Sequence, residues 1–130
     1  MTPEDRLEEV FERGFDEGLD SLNPNDRQLF LIWEFILDQE MGGLSGYFYN
    51  HLPDLAHIHA TVEAMRHHRL VELAALLTRA LELFADYVDP DSASTWNEVL
   101  ARYDPEKRLG AIGDEINALD NYGLAQSTIA

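Results

Sequence analysis

Apolar positions recur at helical spacing along most of the chain. Leu7, Val10, Phe11, Phe15 and Leu19 lie three and four residues apart and form one stripe of a first helix. Thr2 supplies a cap for it, Pro3 suits the first helical position, and Glu4 and Asp5 complement the dipole. Gly18 weakens its end. Asn23, Pro24 and Asp26 repeat the start signal, and from Leu29 to Leu37 every position but Glu34 is apolar. A helix apolar on nearly all sides is central or is covered by a partner. Gly42-Gly43 ends it, and a short amphipathic piece with Leu44, Tyr47, Phe48 and Leu52 follows. Pro53-Asp54 opens a helix to about His68. Residues 70–88 form the clearest stripe, with Leu70, Leu73, Leu77, Leu81, Phe84 and Val88 inward, until Asp89-Pro90-Asp91 breaks it. Trp96, Val99, Leu100 and Tyr103 predict a short helix. Asp104 caps a last one, with Pro105 at its first position and Leu109, Ile112, Ile116 and Leu119 inward. No segment alternates with period two. The pattern predicts an all-α single compact domain, residues 1–130, of about six or seven helices.

Composition narrows the function more than the fold. The chain has 130 residues, which suits one domain. With 45% apolar residues it has enough to fold, despite 25 acids against 9 bases and a net charge of -16. That charge argues against direct binding to nucleic acid, which needs basic surface, and against docking on anionic lipid. The absence of cysteine excludes disulfides, thiolate metal sites and a Cys nucleophile. No apolar run reaches transmembrane length, and the acidic start is unlike a signal peptide, so a cytoplasmic protein is expected.

The charge is unevenly placed. Residues 1–40 carry 12 acids and 3 bases, whereas 41–68 carry two acids, one base and all five histidines. On the first helix Glu4, Glu8, Glu12, Asp16 and Asp20 stand at i,i+4, with Asp5, Glu9 and Glu17 on a neighbouring row. Successive members lie about 6 Å apart along the axis. Each like-charge pair costs roughly 0.2–0.5 kcal/mol, so the row does not serve helix stability. It offers carboxylates where a basic DNA-binding groove would otherwise hold phosphates. These eight acids are the expected partner-contacting residues; should they prove only a solvated face, the recognition surface is expected around Asp114, Glu115 and Asp120.

Residues 40–50 read Glu-Met-Gly-Gly-Leu-Ser-Gly-Tyr-Phe-Tyr-Asn. This resembles the hallmark of a small acidic bacterial family of DNA-mimic proteins, first catalogued as a domain of unknown function. The family pattern runs Asn-Gly-Gly-Phe-x-Gln-aromatic-aromatic-x-Asn. Gly42, Gly43, Tyr47, Phe48 and Asn50 match, while Met41, Leu44 and Gly46 depart. A Trp-bearing apolar helix before the motif, Arg79-Ala80-Leu81 after it, and the closing Ile116-Asn117-Ala118-Leu119-Asp120 extend the likeness over about residues 24–122. The resemblance implies a homodimer that covers the DNA-binding face of a basic helix-turn-helix protein. The motif residues themselves read as structure: two glycines for a cap and close approach, Tyr47 and Phe48 for the core, and Asn50 for a local turn.

Other chemistry is thinner. His59, Glu63 and His67 stand at i, i+4 and i+8 and form the weak metal candidate. Gly43-Leu44-Ser45-Gly46-Tyr47 lacks the final glycine and the preceding strand of a hydrolase elbow. No phosphate loop or His-Glu-x-x-His is present, so no enzymatic activity and no cofactor are expected. The leading expectation is an acidic binder of a basic DNA-binding protein. The alternatives are an immunity- or antitoxin-like inhibitor of a basic toxin or nuclease, and a His/Glu metal-binding protein.

Overall fold

The computed structural model describes residues 2–52, 54–88 and 95–129. Among them are seven α-helices and no strand: α1 (Pro3–Glu17), α2 (Pro24–His51), α3 (Leu55–His67), α4 (Val71–Glu82), α5 (Trp96–Tyr103), α6 (Arg108–Asn117) and α7 (Asn121–Ser127). The expected Asp89-Pro90-Asp91 breaker lies outside the described residues.

α2 is the centre of the molecule and packs against α1, α3, α6 and α7. Leu29, Phe30, Leu31, Ile32, Trp33, Phe35 and Ile36 are all buried within the single chain. The uniform apolarity of this stretch therefore reflects centrality, and it carries no argument for a second copy. At Gly43 the backbone turns to φ 67° and ψ −172°, a conformation open to glycine and strained for other residues. The break divides α2 into two arms. Leu44, Tyr47 and Phe48 of the second arm are buried, and the Tyr47 ring meets Phe35 of the first arm edge-on at 4.8 Å. The two motif aromatics are thus core side chains, while Asn50 is exposed.

α1 starts with Thr2 as its expected cap, and the structure adds a reciprocal bond from the Thr2 N–H to the Asp5 side chain that makes it a capping box. Its inward stripe is Leu7, Val10 and Gly14. Gly14 brings the backbone against Phe30, whose ring would lie 2.5 Å from a Cβ there. Phe11 stacks on Phe30 at 4.9 Å. Phe15 departs from its expected inward position: it is 78% exposed, because the close contact at Gly14 turns its neighbour away from the core.

Three boundaries differ from the sequence reading. α4 stops at Glu82, and residues 83–87 wind on through successive i to i+3 bonds. This tighter winding keeps Phe84 buried against Phe48 and Tyr103 but turns Val88 out to 66% exposure. The helix expected from Asp104 starts at Arg108 instead. Pro105–Lys107 form a turn, and the Asp104 carboxylate accepts the N–H groups of Arg108 and Leu109 at 2.6 and 3.0 Å. That helix is not the last one either. α7 follows, capped by Asp120 and anchored by buried Ala125 and by Tyr122, whose ring meets Trp33 at 5.6 Å.

Candidate functional site

The acidic surface is built by how α1 docks. Asp26, in the first turn of α2, is 2% exposed and takes one guanidinium on each carboxylate oxygen: Arg6 at 2.7 Å and Arg13 at 2.5 Å. Its own N–H is capped by the Asn23 side chain at 2.8 Å. A charge pair this close is strong where water is excluded. It also draws the two basic side chains of α1 toward the helix interface.

Glu4, Glu8, Glu12 and Asp16 lie on α1 and are exposed along one edge. Of the neighbouring row, Glu9 pairs with Arg6 and Arg13 at 3.4 and 3.6 Å. Asp5 is held by the Thr2 N–H, which keeps its carboxyl below the usual range. Glu17 is exposed at the helix end. Asp20 leaves the row: α1 ends at Glu17, Gly18 takes φ 89°, and Asp20 sits exposed in a 3-10 turn. The expected five-member ladder is therefore a four-member one. Asp114, Glu115 and Asp120 are exposed on the far side of the chain order, with Glu115 paired to Arg79 at 3.0 Å and Asp120 committed to capping α7.

The histidines fall differently from their helical spacing. His59, Glu63 and His67 are exposed on α3. Glu63 pairs with Arg66 at 2.6 Å, and His67 packs edge-on against His68 at 5.3 Å. The three do not form a ligand set. A different cluster does assemble: Glu34 and Asp38 on the first arm of α2, His51 on the second arm, and His57 on α3. His57 Nε2 lies 2.6 Å from Glu34 Oε1, and His51 Nε2 lies 2.8 Å from Asp38 Oδ2 and 3.8 Å from Glu34 Oε1. The imidazole rings stack nearly parallel, 11° apart, with centroids 4.9 Å apart. The four side chains are between 16% and 26% exposed. The Glu34 carboxylate raises the His57 pKa above its ordinary value, against the opposing effect of burial. Beneath them the Tyr47 hydroxyl contacts Thr61 at 3.4 Å, and burial pushes its pKa well up.

Sequence reasoning passed over this cluster. Its one local signal is Glu34, the single charge in an apolar run, followed by Asp38 one turn on. The histidines join it only through the reversal at Gly43. On a straight helix Glu34 and His51 would stand about 25 Å apart along the axis.

A family model described as DMP19-like protein matches residues 20–127 of the chain. The match begins after α1. Comparison with curated proteins returns no match, and neither does comparison with solved structures.

Proposed function

We propose that this chain, which belongs to the DMP19-like protein family, is a non-catalytic acidic protein that occupies the DNA-binding surface of a basic partner of helix-turn-helix type. The observation that carries the reading is the division of labour on α1. Its two arginines are drawn onto Asp26, while Glu4, Glu8, Glu12 and Asp16 stay exposed in a row. The row is thus left with little local neutralisation, in a chain of net charge -16. A row of carboxylates about 6 Å apart on a rigid helix can replace backbone phosphates and release the same counterions from a basic groove. Because α1 precedes the family-matched region, this surface is a feature of the chain beyond that match. The acting species is proposed to be a homodimer, as the resemblance implies; light scattering at micromolar concentration checks it, and a monomer refutes it.

The test takes the partner recovered from native extract and the variant Glu8→Gln, Glu12→Gln, Asp16→Asn. The variant is expected to fold as the parent does and to bind more weakly, chiefly through a slower association rate at low salt. Parent affinity is expected to fall steeply with added salt. Equal binding by the two proteins, or affinity indifferent to salt, refutes the reading. A recovered toxin or nuclease in place of a DNA-binding regulator would favour the inhibitor alternative.

A further inference from the structure

We infer that Glu34, Asp38, His51 and His57 form a binding site for one divalent transition-metal ion of the zinc class, which clamps α3 to both arms of α2. One donor atom from each of Glu34, His51 and His57 already lies within 4.8 Å of the others, and Asp38 reaches His51 at 2.8 Å. In a tetrahedral site with bonds of about 2.0–2.2 Å, neighbouring donors stand roughly 3.3–3.6 Å apart. The observed separations of 2.6, 2.8 and 3.8 Å lie on both sides of that spacing, so the side chains have to adjust around an ion, Asp38 by moving in beside His51.

The donor chemistry agrees with the geometry. Two imidazole nitrogens and two carboxylates suit zinc and its neighbours and do not suit calcium or magnesium, which favour all-oxygen shells. Both histidines turn the same nitrogen, Nε2, toward the carboxylates. Two carboxylates with two neutral imidazoles carry a charge of −2, which one divalent ion balances. The site is half-buried, so an ion can reach it and yet be held away from bulk water.

The fold explains why the residues converge. Glu34 and Asp38 share a face of the first arm at i,i+4. The Gly43 turn carries His51 back over that face. His57 enters from the first turn of α3, where Asp54 caps the helix through the His57 N–H.

The experiment is calorimetric titration of Zn²⁺ into the untagged, chelator-stripped full chain, with Mg²⁺ as the contrasting ion. The expected result is one Zn²⁺ per chain, with no comparable Mg²⁺ binding and a raised thermal midpoint. His51→Gln with His57→Gln should weaken Zn²⁺ binding by at least about 100-fold, and Asp38→Asn by about tenfold or more. Circular dichroism in chelator verifies the fold of each variant. His59→Ala with His67→Ala should leave the affinity unchanged. Should the histidine variants not fold, the visible spectrum of the Co²⁺-loaded parent decides: intense tetrahedral-type bands support the site, and a faint octahedral spectrum overturns it. The inference is also overturned by a parent that binds no Zn²⁺, by undiminished binding in the His51/His57 variant, or by loss of binding in the His59/His67 variant.

Discussion

Arg13 and Asp26 meet at 2.5 Å across the α1–α2 contact, and this bond governs how α1 shows its charge. Arg6 holds the other oxygen of the same carboxylate at 2.7 Å. Removing Asp26 leaves the two guanidiniums with only their longer contacts to Glu9 at 3.4 and 3.6 Å. Asp26→Ala is expected to cost about 2–3 kcal/mol, below the ~3–5 kcal/mol of a fully buried pair, because the arginines are partly solvated. Asp26→Asn should cost less, since it keeps the shape and part of the hydrogen bonding. Urea unfolding followed by circular dichroism measures both.

The adjacent glycines of the motif should respond in opposite directions. Gly43 has φ 67° with ψ −172°, so Gly43→Ala is strained whatever the space around it and should cost about 1–3 kcal/mol. Gly42 lies in the helix with open space where a Cβ would stand. Gly42→Ala should be neutral or stabilising by up to about 1 kcal/mol. Equal effects of the two substitutions in thermal or urea unfolding would contradict the role given to the turn.

Gly14→Ala tests the close approach of α1 to α2. The added methyl meets the Phe30 ring at 2.5 Å. The buried ring has to shift, at a cost of about 1–3 kcal/mol. Differential scanning calorimetry should show a lower midpoint than for the parent.

The carboxylate row carries a prediction about stability that needs no partner. Glu4–Glu8, Glu8–Glu12 and Glu12–Asp16 are like-charge i,i+4 pairs on α1. Each costs roughly 0.2–0.5 kcal/mol at low salt. The Glu8→Gln, Glu12→Gln, Asp16→Asn variant should therefore melt slightly above the parent. The gap should close as salt screens the row. A lower midpoint for the variant would show that the row serves the fold.

His68 gives a pH dependence of definite sign. Burial first, and the neighbouring His67 second, hold it below its ordinary value of 6.5. The unfolded chain then takes up a proton more readily than the folded one. The stability contributed by neutral His68, whose Nε2 lies 3.1 Å from Gln28 Oε1, is present above pH 6.5 and lost as pH falls through the lowered native value. The destabilisation caused by His68→Gln, measured by urea unfolding, should be larger at about pH 7.5 than at about pH 5.

Much of this molecule was legible in local pattern. Thr2, Pro3, Asn23 and Pro24 act through bonds within a turn of their own positions, so the starts of α1 and α2 are as their residue types require. The apolar stripes place α3 and α5 and most of α4 for the same reason: a helix with a 3.6-residue period buries whatever recurs at that period. The all-α class and the family follow from features of this short-range kind. α7 escaped because Asn121–Ser127 is seven residues long, too short for a periodic stripe, and is held by Trp33 and Glu40 of α2 through Tyr122.

What tertiary structure alone decided is which distant groups share a place. The sequence puts Arg6 and Arg13 among the acids of α1, where they look like local relief. Only the docking of α2 directs them to Asp26, because a carboxylate buried to 2% exposure needs donors more than an exposed row does. The metal candidate shows the same limit. His59, Glu63 and His67 share a face by period, yet that face is solvent, and neighbours on a solvated helix are drawn to other partners. Glu34, Asp38, His51 and His57 share no helical repeat across their full span and are joined by one backbone reversal at Gly43. The glycine marks that a turn is possible. The direction of the turn, and so the meeting of the two arms, is set by packing Tyr47 and Phe48 against Phe35 and Phe84, contacts that no local pattern encodes.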